Sequence, residues 1–137
     1  PGVYTLPLHD ALSFFISCNL ASADRVGHTG KLDATIEAVS TLDDCLGQIV
    51  TAVQAAGGTV VVTADHGNAE LLWNQERQCP HTAHTKNTVP LLLVEGAERR
   101  EWKLRNGSLR DVAPTLLALL DIKPSAEMTG EDLRIRR

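Results

Sequence analysis

The sequence predicts an α/β protein whose mainly parallel sheet is flanked by helices. Two patterns support this fold class. Apolar residues recur at steps of three and four between residues 32 and 53, which is typical of one face of a long amphipathic helix. A β-branched run at residues 59–63 follows, and such a run is typical of a strand that is buried on both faces of a parallel sheet.

The first predicted element is a buried strand near residues 12–18. This apolar run is too short for a membrane helix. It also lacks the features of a secretory signal, because residues 1–10 contain no Lys or Arg. Residues 24–30 then form a loop or the start of a helix. The long helix ends at Gly57 and Gly58, which tolerate a left-handed C-cap.

The second half of the chain is predicted to contain a loop, a strand and a helix. Residues 71–88 are polar and irregular, as in a loop that forms a site. Residues 89–94 are an apolar strand, and Pro90 must lie at the start of that strand or at an edge. Ser108 and Asp111 resemble a capping box ahead of a last helix, and Pro114 fits the first turn of that helix.

Length and composition restrict the class of protein. The 137 residues suffice for one ordinary domain, residues 1–137, with its own core. Charged residues make up 22% of the chain and the net charge is −4, so there is no basic surface for nucleic acid or an anionic membrane. The 3 Cys residues include no CxxC pair, which argues against a disulfide framework and a zinc ribbon. We therefore expect a cytoplasmic protein with neither nucleic acid nor membrane as a partner.

Three short segments combine Asp and His, and they could supply two adjacent sites for divalent metals. Carboxylate oxygen and imidazole nitrogen suit zinc, manganese and iron. Two adjacent divalent ions are typical of enzymes that transfer phosphoryl groups. The segments contain Asp24 with His28, Asp65 with His66, and His81 with His84.

The pair Asp65 and His66 carries the most specific signal. It follows the predicted strand at residues 59–63, and open α/β sheets bind ligands at the carboxyl ends of their strands. Gly67 and Asn68 permit a tight turn that directs both side chains into this crevice. In the alternative interpretation, this is an ordinary turn in which Asp65 caps a helix and His66 is solvated.

The other two pairs are less specific. Asp24 and His28 are four residues apart, so one helical turn would place both on the same face. The same spacing also fits an N-cap Asp followed by a surface His. His81 and His84 lie in the polar loop, where a His is usually exposed, and we expect only one of them to bind metal.

Five motifs occur in order between residues 19 and 133. They are VGHTG at 26–30, TADHGNAE at 63–70, HTAHT at 81–85, LRDVAPTLL at 109–117 and MTG at 128–130. In this combination they closely resemble the C-terminal part of the cofactor-independent phosphoglycerate mutases, a family of the alkaline phosphatase superfamily.

The resemblance implies an alkaline-phosphatase-like fold of three layers that binds two manganese ions. It also implies the interconversion of 3-phosphoglycerate and 2-phosphoglycerate in glycolysis and gluconeogenesis, through a phosphoserine intermediate, by a monomeric enzyme with a small-molecule substrate. By motif, Asp24, His28 and His84 hold one ion. Asp65 and His66 hold the other, and His81 has no assigned role.

The chain also departs from this family. Family members are much longer than this chain. The parts of them that this chain does not match supply the serine nucleophile, a further aspartate for the second ion and the basic residues that hold the substrate. None of those motifs occurs here. Arg25 stands where the family has methionine, residues 21–23 differ, and residues 1–18 follow the pattern poorly. We therefore expect an incomplete phosphatase domain, a C-terminal segment that contains no catalytic residue and is inactive alone.

Two alternatives remain open. The chain could belong to another enzyme of the superfamily, such as a phosphopentomutase, or it could be a catalytically silent metal-binding or structural fragment. The motifs at 65–68 and 81–85 together favour a phosphoglycerate mutase over a phosphopentomutase. The absence of a nucleophile motif supports the silent fragment.

Overall fold

A computed structural model describes residues 15–96 and 101–137 of the chain. These ranges contain three α-helices, one 3-10 turn and six short strands. The helices are α1 (Ser22–Gly27), α2 (Leu32–Ala55) and α3 (Val112–Leu119), and the 3-10 turn is Leu109–Asp111. The strands are β1 (Val60–Thr63), β2 (Trp73–Asn74), β3 (Cys79–Pro80), β4 (Leu91–Val94), β5 (Trp102–Leu104) and β6 (Arg134–Arg136). None of the helices in these ranges is long and apolar enough to cross a membrane.

Helix α2 is the long helix that the apolar periodicity predicts, and it ends in the predicted glycine cap. Gly57 has a φ of 73°, in the left-handed region. Its N–H donates to the carbonyl of Gln54 at 3.0 Å, and the N–H of Gly58 donates to the carbonyl of Val53 at 2.8 Å. This pair of bonds is a Schellman motif, which satisfies carbonyls that the end of a helix leaves free.

The first half of the α2 apolar stripe is exposed. Leu32, Ile36 and Val39 are 60%, 55% and 43% exposed. Periodicity predicts that this face of the helix is apolar, but it does not show what covers the face. The later residues of the stripe are half-buried; they are Leu42, Leu46, Ile49 and Val53.

Strands β1 and β4 form an antiparallel pair. Val60 lies opposite Val94 and Thr63 lies opposite Leu91. The expectation that residues 59–63 form a fully buried strand with parallel partners is wrong for this pair, since β1 is half-buried and its last residue is exposed. The reason lies in the connection: a parallel return needs a crossover, usually a helix, and the intervening residues 64–90 contain only β2 and β3.

Two smaller predictions concern strand positions. Pro90 directly precedes β4, which confirms that it lies at the start of a strand. The predicted strand at 12–18 falls partly outside the described residues, and residues 15–18 form no strand and are exposed. That part of the prediction is wrong, because a strand needs a hydrogen-bonded neighbour and the described sheets supply none there.

The tightest packing lies near the C terminus. Leu133 and Thr115 are each 1% exposed, and Pro114 is also fully buried. The Thr115 hydroxyl donates to the carbonyl of Asp111 at 2.7 Å and accepts the N–H of Leu133 at 3.0 Å. This hydroxyl joins the start of α3 to the chain that leads into β6.

Asp111 organises the same region through its carboxylate. It accepts the backbone N–H of Ser108 at 2.7 Å and that of Glu131 at 2.9 Å. These two bonds hold the pKa of Asp111 below its ordinary value, with a smaller contribution from the Ser108 hydroxyl and the charge of Arg110. The predicted capping box is thus confirmed, and its carboxylate also anchors the loop at residue 131.

Candidate metal centre

Helix α1 places Asp24 and His28 on one face. His28 caps the helix, and its N–H donates to the carbonyl of Asp24 at 3.1 Å. One helical turn therefore separates the two side chains, and Asp24 Oδ1 lies 3.4 Å from His28 Nε2. Both side chains are about two-fifths exposed, at 37% and 40%, so an ion from solvent could reach them.

His84 completes a triangle of potential ligands. It comes from the loop between β3 and β4, and its Nε2 lies 3.1 Å from His28 Nε2 and 3.4 Å from Asp24 Oδ1. Neighbouring ligands of tetrahedral zinc, bound at about 2.1 Å, are about 3.4 Å apart. Neighbouring ligands of an octahedral ion at about 2.1 Å are about 3.0 Å apart. The triangle therefore has the size of one face of a coordination shell.

The orientation of His28 also suits a metal ligand. Its Nδ1 lies 2.7 Å from the carbonyl oxygen of Thr82. A carbonyl only accepts, so Nδ1 carries the hydrogen and donates it, which leaves the lone pair of Nε2 directed at Asp24 and His84. Ligating histidines commonly donate their second N–H to a carbonyl in this way. Three electron-rich atoms at these distances repel one another unless a cation or a proton lies among them, so these residues fit a metal ion.

Asp65 and His66 follow β1, but the structure places them differently. The His66 ring stacks on His84, with ring centroids 3.7 Å apart. Asp24, His66 and His84 offer ligand atoms that all lie within 4.8 Å of one another. Asp65 lies at the edge of this group, since its side chain is 89% exposed and its Oδ1 is 3.6 Å from His66 Nε2.

Four of the five predicted ligands are therefore in close contact, namely Asp24, His28, His66 and His84. We call these four residues the histidine cluster. His66, which the motif assigns to a second ion, directly adjoins the residues assigned to the first. Two metal sites formed by these residues would therefore be directly adjacent, with His66 in contact with His84.

Among the described residues, His81 makes none of the side-chain contacts that join the members of the histidine cluster. Its backbone N–H donates to the carbonyl of Leu72 at 2.9 Å. Its Nε2 is buried and has no hydrogen-bond partner among the residues that the structure describes. This backbone hydrogen bond attaches the start of the loop that carries His84 to the chain at Leu72.

Asn68 contacts the cluster, although the sequence indicated only a turn residue there. It is 6% exposed, and its Nδ2 donates to Asp24 Oδ1 at 2.9 Å and lies 3.3 Å from His28 Nε2. A Cβ at Gly27 would overlap the Asn68 side chain, so the glycine of the VGHTG motif leaves room for this amide. No signal in the sequence distinguishes this role of Asn68 from that of an ordinary turn residue, because the contact joins segments that are distant along the chain.

Comparisons with known proteins identify relatives of this chain. The profile of the Metalloenzyme superfamily matches residues 8–124. The 2,3-bisphosphoglycerate-independent phosphoglycerate mutase of Nitrosococcus oceani is 53% identical over 118 residues, which are 86% of this chain and 22% of that protein. The enzyme of the same name from Synechococcus elongatus is 46% identical over an alignment that covers 96% of this chain and 24% of that protein.

A solved structure extends the likeness to the fold. It is a crystal structure of Leishmania mexicana phosphoglycerate mutase at low cobalt concentration. The TM-score is 0.75 at 28% sequence identity, over 87% of this chain and 24% of that one. The match confirms the alkaline-phosphatase-like α/β class, of which this chain forms an incomplete part. The chain spans about a quarter of the length of the relatives that it matches.

Proposed function

Because this chain belongs to the Metalloenzyme superfamily, we propose that it is the metal-binding C-terminal segment of a 2,3-bisphosphoglycerate-independent phosphoglycerate mutase. The observation that carries this proposal is the triangle of Asp24, His28 and His84, with sides of 3.1–3.4 Å. The resemblance in sequence to enzymes of that name supports the same activity.

The proposed metal is manganese, with two ions in the whole enzyme. Asp24, His28 and His84 would hold one ion, and Asp65 and His66 would contribute to the other. Their oxygen and nitrogen donors suit a divalent ion of this kind. When bound, such ions supply the positive charge that stabilises a phosphoryl group in transfer.

The chain's own residues would orient these ligands. The carbonyl of Thr82 fixes the tautomer of His28, so its Nε2 keeps a free lone pair. The Asn68 amide holds one oxygen of the Asp24 carboxylate. These contacts restrict the rotamers of both ligands before an ion binds, which lowers the entropy that binding costs.

We further propose that residues 1–137 are one partial domain of a cytoplasmic, monomeric enzyme of glycolysis and gluconeogenesis. Its substrate would be the small molecule 3-phosphoglycerate, which it would interconvert with 2-phosphoglycerate. The net charge of −4 supports the absence of nucleic acid and membrane partners.

One alternative keeps a specific observation in its favour. Within the described ranges, the hydrogen bonds that the histidine cluster makes to other residues involve Gly67, Asn68 and Thr82 and no serine. A catalytically silent metal-binding segment would look the same. A phosphopentomutase or another superfamily phosphatase is less well supported, since the relatives named above are phosphoglycerate mutases.

Metal binding is tested by titrating the chelator-treated chain with Mn²⁺ in a calorimeter. We expect one tight event, because three ligands converge on one point and the second group has fewer. Asp24→Asn should abolish this event. Asp33→Asn, an exposed aspartate at the start of α2, is the matched control and should leave it unchanged. Two equally tight events, or an unaffected Asp24→Asn variant, would contradict the assignment.

Activity is tested by a chimera. The segment of the Nitrosococcus oceani mutase that this chain matches is replaced by the chain, and the product is assayed with 3-phosphoglycerate and with a phosphopentose. We expect conversion of 3-phosphoglycerate, and loss of it in the same chimera with Asp24→Asn. Conversion of the phosphopentose alone would favour the phosphopentomutase. A folded, Mn²⁺-binding chimera without either activity would favour the silent segment.

A further inference from the structure

Glu70 joins the two loops that carry the predicted ligands. Its Oε2 accepts the backbone N–H of Asn68 at 2.6 Å. Its Oε1 accepts the hydroxyl of Thr85 and the side-chain amide of Asn87, the latter at 3.0 Å. Asn68 belongs to the turn after β1, whereas Thr85 and Asn87 belong to the loop between β3 and β4. Glu70 therefore reaches partners that lie 15 and 17 positions away from it along the chain.

The backbone brings the same two loops together at Gly67. The N–H of Thr85 donates to the carbonyl of Gly67 at 2.8 Å, and the two residues form an isolated bridge. A Cβ at Gly67 would overlap both the Thr85 hydroxyl and the Glu70 carboxylate. Glycine is therefore required there for Glu70 to reach its partners.

His66 immediately precedes Gly67, and His84 immediately precedes Thr85. The rings of these two histidines stack, with centroids 3.7 Å apart, directly beside the backbone bridge between Gly67 and Thr85. A change in the distance between the two backbones would be passed directly to the two histidines. Glu70 contacts Asn68, two residues after His66, and Thr85, which directly follows His84.

The chemistry of the contact calls for a carboxylate. All three partners of Glu70 are donors, so both of its oxygens must accept. Burial alone would raise the pKa of Glu70, but the hydrogen bonds from Thr85, Asn87 and Asn68 lower it below its ordinary value. Glutamine has the same shape, yet its NH₂ group would face a donor at one of the two loops.

We propose that Glu70 is a positioning residue, which clamps the loop of His84 to the turn of Asp65 and His66 and so holds the histidine cluster in the arrangement that binds metal. Its role at the metal rests on the proposed function. The clamp itself is a property of the metal-free chain and can be measured there.

The test uses the 137-residue chain and its Glu70→Gln variant. In the absence of metal, hydrogen exchange at the amides of Asn68 and Thr85 should become about tenfold faster or more, because charge-assisted bonds that hold the loops are lost. The amides of β1 and β4 should keep their protection. In calorimetry, Mn²⁺ affinity should fall about 10- to 100-fold, as is usual when a residue that orients a ligand is changed.

Glu76→Gln is the matched control, since Glu76 is exposed in the turn between β2 and β3. It should exchange and bind like the unmodified chain. If Glu70→Gln also exchanges and binds like the unmodified chain, the clamp is wrong while the metal site stands. If the unmodified chain binds no Mn²⁺, the proposed function fails, and the exchange rates alone decide whether the clamp exists.

A second variant guards against a general loss of structure. Faster exchange throughout β1 and β4 would show that Glu70→Gln unfolds the chain. Thr85→Val then removes one donor to Glu70 and keeps the carboxylate. Faster exchange confined to Asn68 and Thr85, with weaker Mn²⁺ binding, would support the proposal. Unchanged exchange and affinity in Thr85→Val would overturn it.

Discussion

The properties of the proposed site depend on individual nitrogen and oxygen atoms. The Nε2 of His28 keeps its lone pair because the hydrogen is on Nδ1, which donates it in a hydrogen bond to the carbonyl of Thr82. His84 contributes its own Nε2 at 3.1 Å from that atom. His81, three residues earlier, directs its Nε2 into a buried position instead. His81 and His84 therefore have different structural roles, although both are histidines of the same loop.

This difference predicts unequal effects of two alanine substitutions on Mn²⁺ binding. His84→Ala should weaken the tight event more than about 100-fold, because the loss of a ligand exceeds the usual effect of an orienting residue. His81→Ala should change the affinity little. Calorimetric titration of both folded variants is the measurement, and a larger loss for His81→Ala than for His84→Ala would sink the assignment.

Asp111 yields a prediction for the pH dependence of stability. The backbone N–H groups of Ser108 and Glu131 lower its pKa from the model-compound value of 3.8 in the folded chain. A depressed pKa contributes stability that is fully present above the unfolded value and is lost as the pH falls through the folded value. Asp111→Asn should therefore lower the Tm at neutral pH, and the difference from the unmodified chain should shrink below pH 3.8.

Thermal melting at neutral pH and in acid tests this expectation. Asp44→Asn, an exposed position on α2, is the control and should leave the Tm unchanged at both pH values. A difference for Asp111→Asn that grows in acid would mean that the carboxylate is not stabilised in the folded state.

At the level of elements, apolar sequence and burial do not coincide along the chain. Strand β1 is half-buried against β4, whereas the first two turns of the α2 stripe are exposed. Both segments carry large aliphatic side chains. Substitutions of the same kind should therefore have different energetic costs in the two places.

Val61→Asp should destabilise the chain by about 1–3 kcal/mol, because the charge loses solvation in a half-buried strand without a partner. Ile36→Asp should cost less than about 0.5 kcal/mol, since Ile36 is 55% exposed. Urea unfolding of both variants compares the two free energies. Equal costs would show that α2 and β1 are covered to a similar degree in solution.

The described ranges of the chain have a small core for their number of residues. Leu133 and Pro114 are the fully buried apolar side chains in the described ranges, and the sheets there are pairs of short strands. The relatives are about four times longer than the segment they share with this chain. We expect the exposed stripe on α2 to be covered by a part of the family's fold that these residues do not include.

We therefore expect the 137-residue chain to convert no 3-phosphoglycerate by itself, even when saturated with Mn²⁺. A phosphoserine route needs a serine at the cluster, and the described hydrogen bonds of the cluster include none. A coupled assay of the purified chain measures the rate, with the chimera as the positive control. Manganese-dependent turnover that a chelator abolishes would overturn this prediction.

The features that sequence patterns predicted correctly are mostly local. The extent of α2, the Gly57 cap and the capping box of Ser108 and Asp111 depend on hydrogen bonds between residues at most five positions apart. The spacing of Asp24 and His28 likewise places them on one helix face, as the structure shows. Short-range bonds follow from backbone geometry and residue type alone, so they can be read along the chain.

Long-range contacts account for the rest. His28 meets His84 across 56 positions, and Asn68 meets Asp24 across 44. The motifs suggested that His84 joins Asp24 and His28, but residue spacing alone did not, and nothing indicated the stacking of His66 on His84. The antiparallel direction of β1 and β4 and the exposure of Leu32 also escaped prediction. Periodicity shows which face of an element is apolar, whereas the direction of a strand and the covering of a face depend on where distant segments pack.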